Sequence, residues 1–263
     1  MPPVIPDRWI PYKPCGKVID GTRIICFKVP LRTSVQQGNS AITHIWDIPA
    51  LLREIPKLGA VIDLTNTARY YNPRDLQEAG VLHKKILMPG RVIPPENKVT
   101  EFMDTVDEFL GKDCDFLIGV HCTHGLNRTG YMVCRYLRDR LGMPGKDAIK
   151  KFERARGYQI ERKNYVADIL GKKPPPPDLG NSTPVKPIGM HNMSYRSPLN
   201  EYEQNDYQSD DDCKSNKRFV KRERMSRPRG RITRWNPRQR SRSDIRRQHS
   251  SSPNRPYDYK YDY

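Results

Sequence analysis

The sequence predicts an α/β fold, a mostly parallel central sheet flanked by helices, followed by a disordered basic C-terminal tail. Three observations carry this reading. Over the first two thirds of the chain, short apolar runs rich in Ile, Val and Phe alternate with longer amphipathic stretches. Strands that alternate with helices run mostly parallel and are covered on both faces. One run, Phe116 to Val120, leads straight into VHCTHGLNRTGY, a tight passage from strand into helix. Finally, the composition changes at Lys172, where KKPPPP is followed by Ser, Asn, Asp, Tyr and Arg with hardly an aliphatic cluster. Such a segment cannot bury enough apolar surface to fold.

In chain order, strands are expected at Thr22 to Lys28, Ala60 to Leu64, Leu82 to Leu87 and Phe116 to His121, each short and apolar. Helices are expected at Asp47 to Glu54 and at Glu96 to Leu110. The second sets Val99, Phe102, Met103, Val106 and Phe109 on one face. Three more helices follow in a row between Arg128 and Leu170. The domain is therefore placed at residues 1–172 and the Pro/Arg/Ser-rich tail at 173–263.

Charge divides at the same point. Residues 1–172 hold 27 Lys and Arg against 19 Asp and Glu, while residues 173–263 hold 20 against 11, so the shorter tail is the denser in positive charge. Lys214 to Arg255 contains 16 basic residues and two acidic ones, Glu223 and Asp244. A concentrated positive field on a flexible chain favours polyanionic partners. The N-terminal MPPVIPDRWIPYKP has prolines where a signal peptide needs an apolar core, and no run approaches a membrane span. A soluble intracellular monomer with no membrane partner is expected. The six cysteines show no CxxC or Cys/His spacing for zinc, so reduced thiols and no metal are expected.

In the VHCTHGLNRTGY stretch, a buried strand ends at His121, the chain turns tightly, and a helix begins at Arg128 or Thr129. Several backbone N–H groups then point inward at the positive end of a helix dipole, which forms an anion cradle. Helix N-termini and nearby arginines lower a cysteine pKa from about 8.5 to roughly 3.5–7.5. Cys122 is expected to be a thiolate nucleophile, unlike Cys26 and Cys134, which read as ordinary buried cysteines. Arg128 offers a planar fork for two phosphoryl oxygens, and Thr129 a hydroxyl that steadies the thiolate when it leaves. Gly125 lets the backbone approach the anion closely.

These ten residues, HCTHGLNRTG, match the signature of cysteine-dependent phosphatases. Together with DRWIPYKPCG, GTRIICFKVPL, VIDLTNTARYY and ERKNYVADIL, they resemble one branch of that superfamily from about Asp7 to Leu170. The branch includes the triphosphatase domain of animal mRNA capping enzymes, the baculovirus RNA phosphatase and the RNA/RNP complex-interacting phosphatase. The resemblance implies Cys122 as nucleophile, Arg128 as phosphate clamp, and the backbone of Thr123, His124, Gly125, Leu126, Asn127 and Arg128 as the binding loop. His121, Thr129 and Asp63 are expected in support, and no cofactor is implied.

An absence points the same way. Superfamily members that act on proteins normally carry an aspartic acid about thirty residues before the cysteine, which protonates the leaving oxygen. Here that region reads KKILMPGRVIPP, without a carboxylate. A tyrosine leaving group, with a pKa of about 10, needs that acid, which is worth roughly 10² to 10⁴ in rate. A phosphate leaving group ionises near about 6 and departs unaided, so the sequence favours a phosphoanhydride, the 5′-triphosphate end of RNA. Glu96, Asp63 and Asp75 are the carboxylates that could still supply a proton. Glu96 reads as an ordinary helix start and Asp63 as a site organiser at a strand's carboxyl end. Arg69, Lys84, Lys85 and Arg91 are candidate contacts for further phosphates.

The tail's RGR at 229–231, RSRS at 240–243 and interspersed Phe219, Trp235 and Tyr257 resemble RNA-binding or import segments. Partners expected for the whole chain are RNA 5′ ends and, through the tail, RNP or splicing-associated proteins. The expected location is the nucleus. A dual-specificity protein phosphatase is the alternative enzyme and a noncatalytic RNA adaptor the alternative class, although the adaptor would not need Cys122, Arg128 and Thr129. A Lys-x-Asp-Gly nucleotidyltransferase motif does not occur in the sequence.

Overall fold

A computed structural model describes residues 4–178 and 187–188. The expected disorder, RNA contacts and import signals of the remaining tail lie outside those residues. The elements are β1 (Cys15–Val18), β2 (Ile24–Lys28), α1 (Thr33–Gln36), α2 (Ile48–Glu54), β3 (Leu58–Asp63), α3 (Arg74–Glu78), β4 (Leu82–Lys85), α4 (Glu96–Lys112), β5 (Leu117–Cys122), α5 (Asn127–Asp139), α6 (Gly145–Arg156) and α7 (Lys163–Ile169).

The strands form one sheet in the order β1-β2-β5-β3-β4. The pairs β2–β5, β5–β3 and β3–β4 are parallel, and β1 is antiparallel on the edge. The sheet is thus mostly parallel and helix-flanked, as its alternating pattern predicts. The central strands β2 and β3 are buried along nearly their whole length, which is why they read as continuous apolar runs. On one face, Ile25, Phe27 and Val61 pack with Trp9, Trp46, Leu51 and Leu76. The last three helices follow in a row, and α5 is buried from Thr129 to Leu137. It lies so close to α6 that a Cβ on Gly130 would stand 2.7 Å from Phe152.

Boundaries depart from the expectations for identifiable reasons. The strand expected from Thr22 starts at Ile24, because the Thr22 hydroxyl donates to the Ile19 carbonyl and accepts from Ile24 N–H, closing the β1–β2 turn. The strand expected to reach Leu87 ends at Lys85. Ile86 N–H makes a last bond to the Asp63 carbonyl, after which the chain leaves the sheet and turns its Met88 carbonyl to Arg128. The edge strand β1 and the short helices α1 and α3 were not expected. β1 is half exposed and carries Gly and Lys, so it lacks an apolar signature. No helix among the described residues is long and apolar enough to cross a membrane.

After α7, Arg162 pairs with Asp178 at 3.1 Å. Ile188 N–H donates to the Gly157 carbonyl beside a Tyr158–Pro187 bridge. Chain beyond residue 172 therefore touches the domain near the α6–α7 turn.

Candidate active site

Strand β5 delivers Cys122 to the carboxyl edge of the sheet, level with Lys28 of β2, and α5 begins five residues later at Asn127. The loop between them depends on Gly125. At φ +65° this residue sits against β2, and an added Cβ would lie 2.0 Å from the Phe27 carbonyl oxygen. Val29 N–H donates to the Thr123 carbonyl. From beneath, Arg156 of α6 donates through Nε to the Gly125 carbonyl (3.1 Å) and through Nη2 to the carbonyls of His124 (3.0 Å) and Lys13 (2.9 Å). With the Gly125 and His124 carbonyls drawn onto Arg156, the loop can present N–H groups to an anion.

Burial pushes the Cys122 thiol up, yet the Arg128 guanidinium, the Thr129 hydroxyl and the N–H groups of Thr129 and Leu126 outweigh it, holding the thiol below its ordinary value. The other buried thiols go the opposite way. Cys26 and Cys134 are raised by burial, and Cys15 is pushed up to about 11. Thr129 Oγ1 is buried without a conventional hydrogen-bond partner, so the sulfur is the group its hydroxyl acts on.

Arg128 is oriented by protein acceptors. Nη1 donates to the carbonyls of Met88 (2.8 Å) and Leu64 (3.3 Å), and Nη2 to Thr123 Oγ1 (3.0 Å). These bonds leave Nε–H and the second Nη2 hydrogen, neighbouring donors on one edge of the guanidinium, for two phosphoryl oxygens.

The side chains of the remaining loop residues are engaged by the protein itself. The His124 ring faces the Asp7 carbonyl (2.7 Å), Leu126 is buried, and Asn127 Oδ1 accepts from the N–H groups of Glu161 (2.8 Å) and Arg162 (3.2 Å). Glu161 in turn receives Arg8 (2.7 Å), Tyr12 (2.6 Å) and Asn127 Nδ2 (3.2 Å). This latch ties the N-terminal segment to the start of α5. Buried Lys28 holds the same segment, donating to the Trp9 and Tyr12 carbonyls with its ammonium over the Trp9 ring.

Behind the cysteine, His121 Nδ1 lies 3.2 Å from the Cys122 carbonyl, and Nε2 lies 2.9 Å from the Tyr71 hydroxyl. Asp63 accepts Lys85 Nζ at 2.9 Å and both Thr65 donors at 2.8 Å. Although burial opposes it, the Asp63 carboxyl is held below its usual range by the neighbouring His121, by Lys85 and by Thr65 N–H. It is therefore an ionised organiser and a poor proton donor. Glu96 is engaged by Arg135 at 2.6 Å, and Asp75 is exposed in the first turn of α3. Of the basic candidates, Lys85 belongs to the Asp63 group and Lys84 faces Glu101 at 3.5 Å. Arg91 anchors its loop by accepting Asn164 on its carbonyl. Arg69 lies over the Tyr70 ring with a buried Nε that no protein atom accepts among the described residues.

Sequence reasoning did not find Arg156, Glu161 or Tyr71. Arg156 had left a signal, since Ala148, Phe152 and Arg156 follow at four-residue spacing on the buried stripe of α6, where a charge needs a partner. Glu161 and Tyr71 left none, because their partners lie 34 and 50 residues away in the chain.

A cysteine whose thiol is held below its ordinary pKa between a strand end and a helix start, with a clamped arginine six residues on, defines a cysteine-dependent phosphatase. The chain belongs to the dual-specificity phosphatase family, whose catalytic domain matches residues 48–173. It is 50% identical over 167 residues to the tyrosine-protein phosphatase of Autographa californica nuclear polyhedrosis virus, covering 64% of this chain and 99% of the viral protein. A putative tyrosine-protein phosphatase 1 of Orgyia pseudotsugata multicapsid polyhedrosis virus is also 50% identical, over 65% of this chain and 77% of that protein. The human RNA/RNP complex-1-interacting phosphatase is 45% identical over 63% of this chain and 51% of its own length. The family match begins at residue 48, so β1, β2 and the N-terminal latch precede it.

Proposed function

We propose that this phosphatase hydrolyses the 5′-terminal phosphoanhydride of RNA. The observation that carries the reading is the stretch from Ile86 to Pro95, which is anchored on Arg128 through Met88 and on α7 through Arg91 and Val92 and has no carboxylate. With Glu96 and Asp63 engaged elsewhere, the leaving group departs unprotonated, which an RNA diphosphate does readily and a phenolate or alkoxide does not. The Cys122 sulfur attacks the terminal phosphorus, the P–O bond to the RNA diphosphate breaks, and water then attacks the phosphocysteine and returns the thiolate. Arg128 and the loop N–H groups hold the equatorial oxygens throughout. Arg69, with its unpartnered Nε, is the cation we assign to a phosphate beyond the one attacked.

The names of the relatives divide between tyrosine-protein phosphatase and RNA/RNP complex-1-interacting phosphatase, so protein dephosphorylation is the second reading. A triphosphorylated oligonucleotide and a phosphotyrosine peptide, assayed in parallel, separate the two. We expect kcat/KM for the RNA to be about 10²-fold or more higher, the size of the missing acid's contribution. Equal values favour the protein substrate.

We further infer that the basic tail tethers the enzyme to long RNA and carries it to the nucleus, since Lys214 to Arg255 is the most concentrated positive stretch in the chain. Deleting residues 189–263 keeps the Asp178 and Pro187 contacts. It is expected to leave turnover on a short oligonucleotide unchanged while flattening the salt dependence of long-RNA binding and reducing nuclear accumulation. Identical salt slopes and distributions would make the tail a passive extension.

A further inference from the structure

The chain beyond α7 carries a carboxylate back to the rim of the catalytic loop. We propose that Asp178 is a specificity-determining residue: it lies on the Arg162 guanidinium as an internal anion, which an extended phosphate chain must displace and a single phosphoryl group need not. The inference rests on the Cys122 loop as the seat of the attacked phosphoryl group, and not on RNA as the substrate.

Arg162 is placed beside the loop by its backbone. Its N–H donates to Asn127 Oδ1 at 3.2 Å, and Asn127 opens α5 next to Arg128. The Tyr165 hydroxyl lies within electrostatic reach of Arg128, Cys122 and Arg162 alike, so Arg162 shares its surroundings with the clamp and the sulfur. The neighbouring carboxylate in the chain, Glu161, is taken up by Arg8, Tyr12 and Asn127. Arg162 Nη1 donates instead to Asp178, to Oδ2 at 3.1 Å and to the carbonyl at 3.3 Å. Two acceptors of one residue on one nitrogen fix the place of Asp178 as well as its charge. The pair is lopsided: the Arg162 side chain is 13% exposed and that of Asp178 60%, so the anion can leave without disturbing the core.

The segment that delivers Asp178 is built for the distance. Lys172 N–H closes the end of α7 on the Ala167 carbonyl, and the chain then reads KPPPPD from Lys173 to Asp178. A helix advances about 1.5 Å per residue, so the return from Lys172 to Arg162 takes roughly 15 Å. Six residues of extended, proline-rich chain at about 3.1 Å each span roughly 19 Å. Prolines also fix φ, so less chain entropy is lost when Asp178 docks than from a flexible linker. Farther on, Ile188 N–H donates to the Gly157 carbonyl at 2.9 Å, which brings the chain back to the same α6–α7 turn.

A single phosphoryl group seated between the loop N–H groups and Arg128 leaves the Arg162–Asp178 pair intact. Further phosphates carry negative charge outward past the start of α5, where Arg162 is a cation and Asp178 the anion already on it. Their charges repel Asp178 and compete for the same guanidinium. A solvent-facing ion pair shifts an equilibrium by up to about fivefold, enough to tune the preference for long phosphate chains and weak enough to be displaced by one.

The test uses full-length Cys122→Ser protein, which keeps the cradle without turnover, titrated calorimetrically with inorganic tripolyphosphate and, separately, with orthophosphate. Adding Asp178→Asn should lower Kd for tripolyphosphate about three- to fivefold and leave that for orthophosphate nearly unchanged. In an Arg162→Gln background the same substitution should gain nothing, which separates release of Arg162 from a general loss of negative charge. An unchanged Kd for tripolyphosphate, an equal gain for orthophosphate, or a gain that persists beside Arg162→Gln would overturn the proposal. Asp178 is exposed, so its substitution does not endanger the fold, and the first two outcomes decide even if Arg162→Gln does not fold. Turnover of a triphosphorylated oligonucleotide by the wild type tests the RNA reading separately, since no step of the titration involves RNA.

Discussion

Cys122→Ser is expected to lower turnover by about 10⁴-fold or more, as loss of a covalent nucleophile does in other enzymes, while thermal unfolding stays close to wild type. The chemistry sets the size of the effect. The cradle stabilises an anion at the sulfur, where Arg128, Thr129 and two loop N–H groups outweigh burial. A serine hydroxyl ionises so much less readily that the same groups cannot make it an alkoxide near neutral pH. The side chain is small and buried, so exchanging sulfur for oxygen leaves the packing intact. In the proposed mechanism Arg128 and the loop supply the positive charge at the attacked phosphoryl group, and wild-type activity is accordingly expected to persist in EDTA. Substantial turnover by Cys122→Ser, or a strict requirement for a divalent ion, contradicts the covalent mechanism.

Arg128→Lys should lower kcat by about 10²- to 10³-fold, the usual effect of losing one preorganised transition-state donor set, even though the charge is retained. Arg128 serves two masters at once. Three of its hydrogens bind Met88, Leu64 and Thr123, which fixes the plane of the guanidinium, and the remaining two lie side by side for the phosphoryl group. A lysine ammonium has three hydrogens in a cone. It can satisfy the carbonyls or the substrate, but not both in one plane. Because the positive charge remains near the sulfur, the acid limb of the pH profile should move less than kcat falls. A kcat within about tenfold of wild type would mean that charge alone, without the fork, does the work.

The parts of this site that could be read along the chain are the parts whose members are neighbours in it. Cys122, Gly125, Arg128 and Thr129 fall within eight residues, and the apolar run before them announces the strand that presents them. Local spacing then determines which N–H groups meet the anion, because a strand end followed by a helix start has few alternatives. Asp63 was legible for a similar reason, at the end of an apolar run on a sheet's carboxyl edge. Glu96 shows where local reasoning stopped. Its position at a helix start was plain, whereas its partner Arg135, 39 residues away, was not.

By itself, then, the sequence determined the candidate nucleophile and clamp, the parallel sheet and the absence of a carboxylate in the stretch after β4. These follow from side-chain period and from chemistry packed into one short segment. Tertiary structure alone decided how that segment is held. Arg156 draws the loop carbonyls onto itself, Glu161 joins Arg8 and Tyr12 to Asn127, and Tyr71, which also meets His83, closes on His121 behind the cysteine. Each of these contacts joins residues at least 31 positions apart, apart from the local Tyr71–His83 pair. Buried polar groups must find partners, but the chain records only that a partner is needed. Which one it finds depends on the order in which the strands stack and on the depth at which the helices settle against them.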